Sequence, residues 1–185
     1  MSTCESGAGR VPIEPQRVDA PLTSSAVLLT LTLTQAVGAV DTVRGVLGDL
    51  DDIVKNVSFR DLSAALACTV GIGSDVWDAV TRAPRPRELH PFRDVRGAVH
   101  TAPATPGDLL LHIRANRRDL CFELERQLLD RFGDAVAVAD ETVGFRYFDA
   151  RDLLGFVDGT ANPVGAALPA ATIIGEEDPA GSGGS

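Results

Sequence analysis

Residues 26–33 set Val27, Leu29, Leu31 and Leu33 on one side of an extended chain, with Thr30, Thr32 and the following Thr34 on the other. Side chains of a strand alternate between its two faces, so this period of two predicts a sheet with one buried face. The stretch is interrupted by threonine and falls far short of the roughly 20 apolar residues a membrane helix needs. Next, Val40, Val43, Leu47, Leu50 and Val54 recur at threes and fours. That spacing predicts one amphipathic helix with Asp41, Arg44, Asp51 and Asp52 on its polar face, ending before residues 56–60.

The remaining elements follow the same logic. Leu66, Cys68, Val70 and Ile72 alternate as a second strand, after which Ser74 is an N-cap for a short helix containing Val76, Trp77 and Val80. The proline-rich residues 83–91 break regular structure. Leu109, Leu111 and Ile113 mark a third strand, and Leu120, Leu124 and Leu128 one face of a second long helix. Residues 135–148 form a fourth strand region, bent near Asp140. The order β-α-β-(short α)-β-α-β predicts an α+β, ferredoxin-like sandwich: a four-stranded antiparallel sheet covered on one face by two helices. The expected organisation is a flexible tail over residues 1–20, the sandwich over 21–150, a reaching segment with little core over 151–179, and a Gly/Ser tail over 180–185.

Composition narrows the partners. The 185 residues are 44% hydrophobic and 23% charged, enough for one core of ordinary size. A net charge of -9 repels phosphate backbones and anionic lipid, which argues against nucleic acid and membrane surfaces. Cys4, Cys68 and Cys121 are odd in number and lack Cys-x-x-Cys spacing, so neither a disulfide framework nor a structural zinc site is expected. Cys68 and Cys121 fall at apolar-periodic positions and read as buried small hydrophobes. The N-terminal residues carry Glu5, Glu14 and Asp19 and lack the basic and apolar regions of a signal peptide, so a cytoplasmic location is expected.

Chemistry concentrates in Gly155-Phe156-Val157-Asp158-Gly159-Thr160-Ala161-Asn162-Pro163. One acid is fixed beside a glycine in a turn-prone segment that follows an apolar, aromatic run. The glycine lets the backbone approach a ligand closely, and Phe156 and Val157 are expected to hold the Asp158 carboxylate in a partly dry place.

The run from Gly144 to Pro163, which includes Phe145-Arg146-Tyr147-Phe148-Asp149-Ala150-Arg151-Asp152-Leu153-Leu154 before the motif, closely resembles the dye-decolorizing peroxidases. The hallmark of that haem-dependent family is a glycine, two residues, then Asp-Gly. Pro15-Gln16 with Pro21-Leu22-Thr23 also resembles the bacterial B-type branch, as do His100-Thr101-Ala102-Pro103-Ala104-Thr105-Pro106-Gly107-Asp108-Leu109, His112-Ile113-Arg114-Ala115 and Ile173-Ile174-Gly175-Glu176-Glu177-Asp178-Pro179. The resemblance covers about residues 15 to 179.

It implies a chain built from two ferredoxin-like sandwiches, of which this would be the first. The implied activity is oxidation of dyes, phenols or similar small reductants by hydrogen peroxide, with haem b as cofactor. Peroxide cleavage needs a proton to leave one oxygen and arrive on the other, and the resemblance gives that acid/base role to Asp158. Phe156, Gly159, Thr160 and Asn162 match positions near the distal haem face, and Ile174 and Gly175 could reach the haem edge. The family's proximal histidine and distal arginine lie in its second half, so the chain is expected to be haem-free and inactive alone, with no metal ligand of its own. A homo-oligomer is expected, and the branch implies packaging in an encapsulin shell for the full-length protein.

Other readings compete. Asp149, Asp152, Asp158, Glu176, Glu177 and Asp178 could form an oxygen-rich magnesium or calcium site, or be solvated acids, or be acids paired with Arg146 and Arg151. No phosphate-cradling loop with Lys and Ser/Thr is present. His90 lies in the proline-rich loop, His100 precedes Thr101-Ala102-Pro103, and His112 shares a strand side with Leu110 and Arg114; none matches the family's proximal ligand. From a different class, the chain reads as a non-catalytic ferredoxin-like interaction module.

Overall fold

The computed structural model describes residue 16 and residues 18–182. Cys4, nearly all of the predicted N-terminal tail and the last three residues of the Gly/Ser tail lie outside the described residues.

Four strands form one antiparallel sheet: β1 (Ser25–Leu33), β2 (Ala67–Ile72), then, after the two-residue strands β3 (Val95–Arg96) and β4 (Thr101–Ala102), β5 (Leu109–Ala115) and β6 (Val136–Phe145). The sheet order is β2-β5-β1-β6, and β3 pairs only with β4. Strands β1 and β2 run parallel to one another because β5 lies antiparallel between them. This is the split β-α-β arrangement of a ferredoxin-like sandwich.

Register turns the alternation into layers. Across β2, β5 and β1 the rows Cys68–Ile113–Val27, Val70–Leu111–Leu29 and Ile72–Leu109–Leu31 lie on one face. Leu29, Leu111 and Ile113 are completely buried, whereas Leu28 and Leu110, on the other face, are exposed. Helix α4 (Arg118–Phe132) covers the buried face with Leu120, Cys121, Leu124, Leu128 and Phe132. Each such leucine contributes about 1.5–3 kcal/mol relative to an exposed position.

The predicted single helix is two. Helix α1 (Ala39–Gly48) buries Ala39, Val43 and Val46, and α2 (Leu50–Ser58) buries Ile53 and Val57. They join at Asp49 (φ -93, ψ 0), whose N–H donates to Gly45 and whose carbonyl accepts from Asp52 and Ile53. Gly45 and Gly48 weaken the first helix just before this break. Leu47, Leu50 and Val54 pack at the edge of the core, and the second helix continues past the predicted end to Ser58.

Three further differences are local. Helix α3 (Trp77–Thr81) starts after Val76, and the Ser74 hydroxyl bonds Asp75 without capping it. The hairpin β3–β4 has no alternating apolar pattern to announce it. Strand β6 stops at Phe145, but its bend occurs where expected: Thr30 pairs with Asp140 and Leu31 with Val138, so Ala139 bulges out of register.

Cys121 is buried and Cys68 half-buried. Burial pushes the Cys68 thiol up to about 12 and that of Cys121 up to about 11, so both remain protonated at neutral pH. Among the described residues, no helix is long and apolar enough to cross a membrane.

Candidate active site

The loop carrying Asp158 leaves the sheet at the end of β6. Arg146 N–H donates to the Ser24 carbonyl at 2.9 Å, anchoring that exit to the start of β1. Tyr147 and Phe148 follow, with ring centroids 6.4 Å apart at an interplanar angle of 51°. A single 3₁₀ turn over Phe148–Ala150 contains two left-handed residues, Asp149 (φ 52) and Ala150 (φ 58). The chain then folds back, since Arg151 forms antiparallel bridges with both Tyr147 and Val157.

Asp158 comes next. Its carboxylate is exposed, and no hydrogen bond or ion pair reaches it among the described residues. The expected partly dry setting is therefore not formed by these residues alone: Phe156 is 69% and Val157 51% exposed. The reason is positional, because the loop leaves the end of the edge strand β6 and none of its apolar side chains joins the core cluster. Phe145, Phe148, Leu153 and Leu154 are exposed as well, a concentration of apolar surface that soluble chains keep small unless it is covered or used.

Gly159 is needed for the turn that follows. It adopts φ +74, and a Cβ there would stand 3.1 Å from Asn162 Nδ2. Asn162 N–H donates back to the Gly159 carbonyl at 3.1 Å, closing a tight turn that brings Thr160 and Asn162 to the surface beside Asp158.

Ile174 and Gly175 sit in a second group. They follow α5 (Ala167–Thr172), and the segment is tied to the proline-rich loop: Arg87 N–H donates to Asp178 Oδ2 at 2.7 Å, and a Cβ on Gly181 would meet both Ile174 and Pro86. Gly175 N–H donates to Glu177 Oε1 at 2.8 Å, which holds that carboxylate below its ordinary value.

Among the described residues none of these acids pairs with Arg146 or Arg151, and Asp149 and Asp158 are exposed, as the solvated alternative has it. Arg151 Nη1 donates to the Gly155 carbonyl, Asp152 Oδ1 accepts main-chain N–H groups, and Asp178 does the same. Among the described residues no group of three or more His, Cys, Asp or Glu could hold a metal ion. His90 Nδ1 contacts its neighbour's carbonyl at 2.9 Å, and His112 lies half-buried on the sheet, held below its ordinary value by burial and then by Arg114. Arg151 and Asp152, offered by the sequence as an ion-pair partner and a metal-ligand candidate, instead hold main-chain atoms of the loop, and an aspartate three residues before a glycine does signal a turn that binds its own backbone.

A model of the Dyp-type peroxidase N-terminal region matches residues 15–146, and the C-terminal model of the same family matches residues 149–185. The chain belongs to the Dyp-type peroxidases. The two matches meet just past β6, so the first holds the whole sheet and the second begins on the Asp158 loop.

Among Dyp-type relatives, the dye-decolorizing peroxidase of Brevibacterium linens is 53% identical over 170 residues, covering 91% of this chain and 46% of that protein. That of Mycobacterium tuberculosis is 52% identical over 166 residues, covering 90% and 49%. Among solved structures, the encapsulated DyP-type peroxidase of Mycobacterium smegmatis superimposes with a TM-score of 0.85 at 51% identity, over 90% of this chain and 53% of that one. A variant of DypB from Rhodococcus jostii in complex with haem gives a TM-score of 0.85 at 48% identity, over 89% and 53%. The chain spans about half the length of the relatives it matches.

Proposed function

We propose that this chain forms the distal half of a haem peroxidase of the dye-decolorizing type, with Asp158 as its acid/base. The observation that carries the reading is the exposed Asp158 carboxylate, without a partner among the described residues, that follows Phe156 and Val157 in the family's Gly-x-x-Asp-Gly motif. An exposed apolar strip that ends on a carboxylate beside a glycine fits a flat apolar cofactor whose reactive centre needs a proton acceptor at hand.

Haem bound there would supply the redox centre that reduces hydrogen peroxide and then oxidises dyes, phenols or similar reductants. Asp158 Oδ takes the proton from one peroxide oxygen and returns it to the other, so one group serves both transfers. Covering the loop removes water from that carboxylate and strengthens its hydrogen bonds to substrate. Phe156 would offer apolar contact to the cofactor, Gly159 would permit close backbone approach, and Thr160 and Asn162 would provide polar contacts. Ile174 and Gly175 are assigned to the cofactor edge.

We infer that the residues that would ligate the haem iron, and a positive charge to work with Asp158, belong to the region that the relatives carry beyond the matched half. The chain alone is then haem-free and inactive, and the complete protein is a cytoplasmic homo-oligomer. The encapsulated Mycobacterium smegmatis neighbour supports a place for the complete protein inside an encapsulin shell.

A haemin titration followed by absorbance tests the assignment. The chain alone should bind weakly and without saturation; mixed with the C-terminal half of the Brevibacterium linens relative, it should give a saturable complex with a sharp Soret band. Equal, non-saturating binding in both mixtures would overturn the reading.

A further inference from the structure

Two polar side chains hold the Asp158 loop in place. Asp152 Oδ1 accepts the N–H of Leu154 at 2.8 Å and the N–H of Phe156 at 2.9 Å. The main chain closes the same loop: Asp152 N–H donates to the Phe156 carbonyl at 2.9 Å, and Gly155 N–H to the Asp152 carbonyl at 3.0 Å. Arg151 Nη1 also donates to the Gly155 carbonyl, at 2.8 Å. Arg151 is itself bridged to Tyr147 and Val157, which connects the clamp to the end of β6.

Hydrophobic packing cannot provide this order, because Leu153, Leu154 and Phe156 are all exposed. The side-chain bonds from Asp152 and Arg151 act with those two main-chain bonds to fix the path of residues 152–156. Asp158 lies two residues beyond Phe156, so a change in that path displaces its carboxylate directly.

We propose that Asp152, supported by Arg151, is a positioning residue that sets where the Asp158 carboxylate stands. This rests on the acid/base reading of Asp158. The role needs an acceptor oxygen and no negative charge, since both of its donors are neutral amides. Asparagine at 152 retains an Oδ1 of the same reach, alanine removes it, and glutamate places the acceptor one carbon too far out.

The test uses two readouts. Amide hydrogen exchange on the haem-free chain should show the Leu154 and Phe156 N–H groups exchanging about tenfold faster in Asp152→Ala, and near wild type in Asp152→Asn, with the thermal midpoint of all three alike. In the haem complex assembled with the C-terminal half of the Brevibacterium linens relative, Asp152→Ala should react with peroxide at least tenfold more slowly at unchanged haem occupancy, with Asp152→Asn restoring the rate. Arg151→Ala, which removes the Nη1 donor to the Gly155 carbonyl, should fall between them.

Equal peroxide rates for Asp152→Ala and wild type, beside a slow Asp158→Asn, would overturn the positioning role and leave the acid/base reading intact. Loss in Asp152→Asn equal to that in Asp152→Ala would also overturn it, since the charge would then be what matters. A normal rate in Asp158→Asn would overturn the acid/base reading itself, and with it the positioning role.

Discussion

The side-chain amide of Gln16 pairs with both main-chain polar atoms of Val70: Nε2 donates to the Val70 carbonyl at 2.8 Å, and Oε1 accepts the Val70 N–H at 2.6 Å. Val70 lies on the edge strand β2, whose outward N–H and C=O groups would otherwise be open to water or to another chain. A single side chain thus does what a further strand would do. Gln16→Ala should lose about 1 kcal/mol, the net worth of exposed neutral hydrogen bonds, and speed exchange at the Val70 amide. Gln16→Glu should be no better at neutral pH, because it loses the donor and sets a carboxylate against a carbonyl. Chemical denaturation of the three proteins checks both statements.

Gly159 governs the turn after the proposed acid. Alanine there must adopt a left-handed conformation, at a cost of about 1–2 kcal/mol, and place its Cβ 3.1 Å from Asn162 Nδ2. Because the loop contributes nothing to the buried core and local release of the turn relieves the strain, Gly159→Ala should lower the global unfolding midpoint by no more than about 2–4 °C. Exchange at the Asn162 amide, which closes the turn, should rise severalfold.

Glu125 gives the fold a pH dependence of definite sign. It lies on the buried face of α4, where burial, and then Glu141, raise its carboxyl above the ordinary value of 4.5. A raised carboxyl favours the neutral form in the folded chain, so its contribution is fully present below pH 4.5 and is lost as pH rises through the folded value. Glu125→Gln should therefore raise the thermal midpoint at pH 7 and leave it unaltered at pH 4. His112 acts on the opposite side, its folded value being depressed below 6.5: its contribution is complete above pH 6.5 and declines as pH falls. Calorimetric scans of wild type and Glu125→Gln at the two pH values separate them.

The sheet was legible because period-two alternation is written locally: Val27, Leu29 and Leu31 needed no knowledge of their partners to be placed inward. The break at Asp49 was not, since apolar residues continue at threes and fours on both sides of it. The Gln16–Val70 pair spans 54 positions and leaves no local pattern. The site divides in the same way. The Gly-x-x-Asp-Gly motif located Asp158, and Gly159 showed its backbone requirement. The exposure of Asp158 depends on what lies over the loop, which spacing along the chain does not encode. The roles of Arg151 and Asp152 emerged only from which main-chain atoms they reach.

The most direct test of the account is the rate at which the haem-loaded protein containing this chain reacts with hydrogen peroxide, measured by stopped flow for wild type and Asp158→Asn at equal haem content. Proton transfer by Asp158 predicts a loss of about 10²–10⁴-fold, the usual contribution of a positioned acid/base. A rate within twofold of wild type would contradict the account.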